Sequence, residues 1–197
     1  MTADVTLWFD PTCPFTWRTS RWLTGVTTTR GQTIEWRLMS LAILNEGREI
    51  PEQYRAAVAR SVRGQRLLQA AGERHGQDAL ARLYTEIGTR VHWDGRPMEN
   101  DVLAEALAAA GLPDDLLAAA DDASLDKAVR ESHEAGQARV GTESGSPILA
   151  LGDGPGFFGP VVVPVPEGEA AEKLYDAVRL LSAVPEFSEL KRSRESF

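Results

Sequence analysis

The apolar positions change period twice along the chain. Val5-Thr6-Leu7-Trp8-Phe9 is a short strand-forming run that stops at Asp10-Pro11, a turn signal. From Phe15 to Val26 the spacing is helical, through Phe15, Trp22, Leu23 and Val26. Pro14 suits the first helical turn, where its missing N–H would have no partner. Gly31 ends the unit, and Thr33 to Leu41 alternates again through Ile34, Trp36 and Leu38, a second strand. From Glu46 to Arg139 no strand pattern occurs. Pro51 to His75 is helical, with Tyr54, Val58, Val62, Leu67 and Leu68 along one side. Gln77 to Val91 carries a stripe of Leu80, Leu83, Tyr84, Ile87 and Val91. Glu99 to Ala110 is a helix ending at Gly111, Pro113-Asp114-Asp115 opens a short one, and Ser124 to Val140 forms another. Strands then return, Ser146 to Leu151 and Phe157 to Val163, around a turn at 152–156. Glu167 to Val184 is an amphipathic helix with Leu174, Val178 and Leu181, and the polar tail from Pro185 is expected to fray.

The element order is therefore βαβ, a helical block, then ββα. A right-handed crossover makes the first two strands parallel, and the hairpin makes the last two antiparallel. This is an α/β chain with the order of a thioredoxin-like core and an inserted all-helical lid. The expected division is core at 1–45, lid at 46–140, and core with tail at 141–197. Only two chain crossings, near Asn45 and Gly141, join lid to core, so the lid is expected to move and to close over a bound ligand.

Composition narrows the partners. The 197 residues include 21 basic and 29 acidic groups, a net charge of −8, and 43% are hydrophobic. That fits a packed globular chain, and the acidic balance argues against a nucleic-acid or anionic-membrane partner. There is one cysteine, Cys13. A lone cysteine excludes an internal disulfide and a cysteine-based zinc cluster, and no metal site is expected. Met1 to Phe9 has neither a basic start nor a long apolar stretch, and no run approaches the roughly 18 apolar residues of a membrane span. A cytoplasmic, soluble protein is expected.

Cys13 is the centre of the candidate chemistry. It follows a strand and a turn and stands at the start of a helix, where unpaired N–H groups favour a thiolate. The alternative is a small buried hydrophobe. Cys13-Pro14-Phe15-Thr16 has C-x-x-C spacing with threonine last, and residues three apart share a helical face. The Thr16 hydroxyl can then donate to the thiolate but cannot attack a mixed disulfide, so a second thiol must come from outside. Ser146-Pro147 opens a strand of this core and suggests a cis bond whose flanking Ser146 backbone groups can pair with a substrate or thiol. Gly154 to Gly159 matches G-x-G-x-x-G, but strand residues and prolines follow it where a dinucleotide site needs a helix. A hairpin turn is the better reading. His75, His92 and His133 lack metal-ligand spacing. His75 reads as a surface residue at a helix end. His92 and His133 are candidates to line a cleft over Cys13, against the plainer reading of structural histidines. Trp17 and Trp93 are the tryptophans most expected at a cleft. The pairs Asp114-Asp115 and Asp121-Asp122 suit helix starts and are assigned no catalysis.

The run from Trp8 to Trp22 resembles the active-site segment of the mycothiol-dependent nitroreductases, cytoplasmic DsbA-like proteins of actinobacteria. Residues 39–46, 51–55, Ser132-His133 with Ala135-Gly136, 157–161 and 189–192 are also similar to that family, so the resemblance spans nearly the whole chain. It implies reduction of nitroaromatic compounds and disulfides with mycothiol, or a similar low-molecular-weight thiol, as co-substrate. No tightly bound cofactor is implied, and a homodimer is. By position, Cys13 matches the nucleophile, Pro14 the proline after it, and Ser146-Pro147 the cis-proline dipeptide. Phe15, Trp17, His92 and His133 are the further candidates for substrate or thiol binding. Thr16 departs from the second cysteine common in the family, which points to a monothiol cycle. Two other functions compete. Thiol transferases or isomerases of the kappa type share the inserted helices but usually carry serine where Cys13 stands. A non-catalytic small-molecule binder would keep Cys13 buried.

Overall fold

The computed structural model describes residues 3–193. Met1, Thr2 and residues 194–197, the end of the tail expected to fray, lie outside the described residues. So do the side chains of Gln53 and of Tyr54, the first position of the expected stripe along the longest helix.

Four strands form one sheet: β1 (Val5–Phe9), β2 (Ile34–Leu38), β3 (Ile148–Leu151) and β4 (Gly156–Phe158). Their order is β2-β1-β3-β4. β1 pairs parallel with β2, Leu7 opposite Trp36, and antiparallel with β3, Leu7 opposite Leu149, while β4 runs antiparallel to β3. All five β1 residues are buried, Thr6 among them, which is why this strand reads as a mostly apolar run and not as an alternation. The outer edge of β2 is covered by side chains: Gln77 Oε1 accepts the Trp36 N–H (2.8 Å) and the Ser132 hydroxyl donates to the Leu38 carbonyl (2.7 Å).

The last strand is shorter than the expected Phe157–Val163. It stops at Phe158 because Gly159 turns left-handed (φ 109°) and Pro160 and Pro164 have no N–H to give a ladder. The glycine run at 154–159 lies in the β3–β4 turn and β4, with no helix after it. Arg139 fastens that turn through the Asp153 and Gly154 carbonyls.

Helix α1 (Pro14–Arg30) closes on Gly31, whose positive φ of 63° lets its N–H reach the Thr27 and Thr28 carbonyls. The final helix of the fold, Gly168–Ser182, lies beside α1. There the Trp22 indole donates to the Ala171 carbonyl (3.1 Å), and Arg30 pairs with Glu172 and Asp176. Between β2 and β3 come α2 (Leu41–Leu44), α3 (Glu52–His75), α4 (Gln77–Gly88), a π-helical turn at Thr89–Trp93, α5 (Asn100–Ala109), 3-10 turns at Asp114–Asp121 and Ala123–Leu125, and α6 (Asp126–Val140). The helix at the end of the chain is α7.

The buried face of α3 differs from the expected stripe. Leu67 and Leu68 are buried as expected, but Val58 and Val62 are only half-buried, and Ser61, Gly64 and Gln65 face inward in their place. One hydrophobic core runs from Leu7, Phe9 and Leu38 through Trp17 to Leu67, Leu83, Tyr84 and Leu103. Tyr84 stacks tilted on Phe9, ring centroids 4.0 Å apart, and meets Trp36 at 5.7 Å. Two glycines permit close approaches within this packing. A Cβ on Gly88 would overlap the Trp17 ring, and one on Gly136 would stand 2.8 Å from Trp8 Cδ1.

Candidate active site

Three segments meet around Cys13. The first is the turn from β1 into α1. Cys13 caps the helix with an extended backbone (φ −81°, ψ 113°), its N–H donates to the Asp10 carbonyl (3.1 Å), and its carbonyl accepts the Trp17 N–H (3.0 Å). Pro14 occupies the first helical turn. The second segment is Ser146-Pro147, whose peptide bond is cis. The Cys13 thiol donates to the Ser146 carbonyl oxygen, Sγ···O 3.4 Å. The Ser146 hydroxyl accepts the Asp10 N–H (3.0 Å) and lies 2.5 Å from the Thr16 hydroxyl. The third is the chain after β4. The Gly159 N–H donates to the Pro147 carbonyl (2.9 Å), and the Thr19 hydroxyl donates to the Pro160 carbonyl (2.7 Å) and the Phe15 carbonyl (3.0 Å). Phe15 is half-buried.

Cys13 is only 5% exposed. Burial pushes its thiol above the ordinary value, and the Asp10 carboxylate adds to this. The Thr16 hydroxyl and the Thr16 and Phe15 N–H groups pull the other way, and burial wins. The expected depressed thiol therefore needs correction in this closed arrangement. The helix start supplies donors to the sulfur, but the surrounding side chains remove the water that would help to solvate a thiolate.

Asp10 lies at the centre of the site, although in the sequence it reads only as a turn residue. It is fully buried. Its carboxylate accepts the Thr12 N–H and hydroxyl (2.9 and 2.6 Å), the Leu41 N–H (2.8 Å), the Ser61 hydroxyl (3.0 Å) and the Gln65 amide (2.9 Å). Each of these donors is neutral. Gln65 also donates to the Met39 carbonyl (3.0 Å). Asp10 thus joins the β1–α1 turn, the start of α2 and the inner face of α3. The available signal was Ser61 and Gln65, two polar residues four apart on one face of a helix with apolar neighbours.

The histidines separate. His92, on the π-helical turn, stacks on Trp17 (5.7 Å, 24°) and hydrogen-bonds through Nε2 to the Pro11 carbonyl (2.9 Å), so Nε2 carries the proton. Burial lowers its pKa below 6.5, ahead of the Pro11 bond, which raises it. His133 is brought to the β2–α2 junction, where Nδ1 accepts the Ser40 N–H (3.3 Å) and burial again lowers its pKa. His75 is exposed. Trp17 is core, 1% exposed, with Tyr84 across its edge at 5.7 Å. Trp93 is half exposed, with the Arg18 guanidinium 5.4 Å from its ring centre. Among the described residues no group of three or more acidic, histidine or cysteine side chains could hold a metal ion, and no helix is long and apolar enough to cross a membrane. A cavity of about 470 Å³ opens instead along β2, lined by Trp36, Gln69 and Ser132 among others.

The same architecture occurs in known structures. A 2-hydroxychromene-2-carboxylate isomerase matches with a TM-score of 0.62 at 16% identity, over 91% of this chain and 95% of that one. The cytosolic disulfide reductase DsbM from Pseudomonas aeruginosa, solved with GSH, gives 0.59 at 18% identity over 89% and 98%. A probable DsbA oxidoreductase, SCO1869 from Streptomyces coelicolor, gives 0.60 at 20% identity over 96% and 93%. At these identities the likeness is one of fold, that of the DsbA-like thioredoxin group. In sequence, the uncharacterized protein Rv2286c of Mycobacterium tuberculosis (strain ATCC 25618 / H37Rv) is 34% identical over 190 residues, 94% of this chain and 80% of the relative. Residues 12–192 match the model of the Rv2466c-like family, described as mycothiol-dependent nitroreductase Rv2466c. With the thioredoxin fold around Cys13 and a family match from the active-site turn to the tail, the chain belongs to the Rv2466c-like family of thiol-dependent oxidoreductases.

Proposed function

We propose that this protein is a mycothiol-dependent reductase of nitro compounds or disulfides that works through the single thiol of Cys13. The observation that carries the reading is Cys13 at the cap of α1 with its sulfur on the Ser146 carbonyl and the Thr16 and Phe15 donors around it. The thiol donor comes from the family match. In disulfide reduction the Cys13 thiolate attacks one sulfur of the substrate. An S–S bond to Cys13 forms, the substrate S–S bond breaks, and the leaving thiolate takes a proton. A mycothiol then attacks the Cys13 sulfur, releasing the second substrate thiol and leaving a Cys13–mycothiol disulfide, and a second mycothiol attacks the mycothiol sulfur, so that mycothiol disulfide leaves and Cys13 returns as a thiol. With a nitro substrate, two thiols become one disulfide as the nitro group becomes nitroso and one water leaves. Thr16 cannot resolve the mixed disulfide, so the second thiol is always external.

In this reading Cys13 is the nucleophile, Pro14 starts the helix that presents it, and Thr16 donates to the sulfur. Phe15, Ser146 and Pro147 face the incoming thiol, with the Ser146 backbone as its polar contact. His92 holds the Pro11 carbonyl beside the site, while Trp17 and His133 support from the interior. The helices of residues 46–140 act as the lid, and the protein works in the cytoplasm as a homodimer.

The test is intact mass after incubation with mycothiol disulfide, followed by turnover of a nitro compound in a mycothiol-regenerating system. One mycothiol adduct is expected, absent in Cys13→Ser, whose turnover drops to background. The buried sulfur also suits a second reading, a non-catalytic binder. Lack of any adduct together with lack of turnover would establish that reading and remove the first, and full rates in Cys13→Ser would remove Cys13 as the nucleophile.

A further inference from the structure

We propose that the Ser146 side chain is a positioning residue, whose hydroxyl turns the Thr16 hydroxyl so that the Thr16 proton is held for the Cys13 sulfur. This rests on Cys13 being the reacting thiol.

Ser146 is 5% exposed and Thr16 is fully buried, so water cannot complete their hydrogen bonds. The two hydroxyl oxygens are 2.5 Å apart, and either could be the donor. Ser146 Oγ already accepts the Asp10 N–H at 3.0 Å. If Thr16 donated to it as well, Ser146 would accept twice and its own buried proton would need a further acceptor. An unmade hydrogen bond of that kind is costly. If Ser146 donates instead, both protons have a place. The Ser146 proton lies on Thr16 Oγ1, and the Thr16 proton is free to point at the sulfur, which its side chain reaches from three residues along α1. The chain of donors then runs from the Asp10 N–H to Ser146, from Ser146 to Thr16, and from Thr16 to Cys13.

Residue 146 also meets the protonated form of the site. The thiol S–H donates to the Ser146 carbonyl at 3.4 Å. That carbonyl favours the thiol, because it has nothing to offer a thiolate, and the hydroxyl of the same residue favours the thiolate through Thr16. One residue thus bears on both protonation states, directly through its carbonyl on the thiol and through Thr16 on the thiolate. The origin of the relay is fixed from a distance, since the Asp10 carboxylate is held by Ser61 and Gln65 of α3 and by the start of α2. The other titratable groups around the sulfur are the Asp10 carboxylate itself, Tyr84 on α4, kept neutral by burial, and His92 on the π-helical turn. The substitutions below leave all three in place.

The experiment is the pH dependence of Cys13 alkylation by iodoacetamide, which needs no substrate or cofactor. The midpoint reads deprotonation, and the plateau at high pH reads access to the sulfur. Ser146→Ala and Thr16→Val should each move the midpoint up and slow alkylation about tenfold at a fixed pH below it, the weight of one hydrogen bond to a charged atom. The double variant should be no slower than Thr16→Val alone, because the two groups act in series. Ser146→Thr, which keeps a hydroxyl, should restore the wild-type midpoint. If Ser146→Ala does not fold, Ser146→Gly removes the same hydroxyl. An unmoved midpoint without the Ser146 hydroxyl, or effects that multiply in the double variant, would overturn the relay. Loss of the proposed reductase function would show separately, as absent turnover with the alkylation profile intact.

Discussion

Cys13 is legible because three independent local signals coincide on it: the end of a strand, a turn, and a proline in the first turn of a helix. Asp10 is not, because Asp-Pro after a strand is sufficiently explained as a turn. Its role depends on partners 31, 51 and 55 residues away. The fate of the thiol was equally hidden, since a helix start argues for a low value and only the packing around the sulfur reveals the burial that outweighs it. The density of donors on Asp10 gives a prediction. Asp10→Ala leaves the Thr12 and Leu41 N–H groups, the Ser61 hydroxyl and the Gln65 amide without their acceptor in a dry interior. A loss of about 3 kcal/mol or more is expected in urea unfolding, with Asp10→Asn losing less because it keeps one acceptor oxygen.

At the scale of elements, the helices and the first strands follow their periodicity, and the departures have separate causes. The expected strand through Val163 is cut by Gly159 and Pro160, whose backbone chemistry outweighs the strand preference of three valines. The inward face of α3 is shifted because Asp10 draws Ser61 and Gln65 inside. The π-helical turn at Thr89–Trp93 has no sequence signature, since over five residues its period differs too little from that of α4. That turn, starting just after Gly88, brings His92 onto the face of Trp17. Trp17 is therefore enclosed by Tyr84, His92 and the bare backbone of Gly88. Gly88→Ala forces the ring away from all of them. It should cost roughly 1–3 kcal/mol as overpacking, a fall in Tm of several degrees for a chain of this size. Gly25→Ala, where nothing lies within 4 Å of the added Cβ, is the control that should not destabilise.

For the whole molecule, the sequence shows a helical block placed between two halves of a sheet, and the structure shows that block and sheet filling one continuous core. The link lies in aromatic residues distant in sequence, Phe9, Trp36 and Tyr84, which no local period connects. Two histidines sit in or beside this core, and their pKa values lie below 6.5 through burial. Below that value the unfolded chain takes up protons that the folded one refuses. Their contribution is complete above about pH 6.5 and declines as the pH falls toward their folded values. Tm measured from pH 7.5 to 5 should therefore fall. The fall should be shallower in His92→Gln with His133→Asn, which keep the hydrogen bonds without the charge. The carboxylates paired with arginine, Asp121 and Asp126 among them, lose their contribution only in a lower window, as pH falls below the ordinary aspartate value of 3.8. The two borders of the sheet have a consequence of their own. Along β2 the Trp36 N–H and the Leu38 carbonyl are taken by Gln77 and Ser132, and β4 ends after three residues in a proline-rich stretch. Both features work against the addition of a strand by another chain. Aggregation by strand pairing should therefore follow loss of the fold and be slow while the native state lasts.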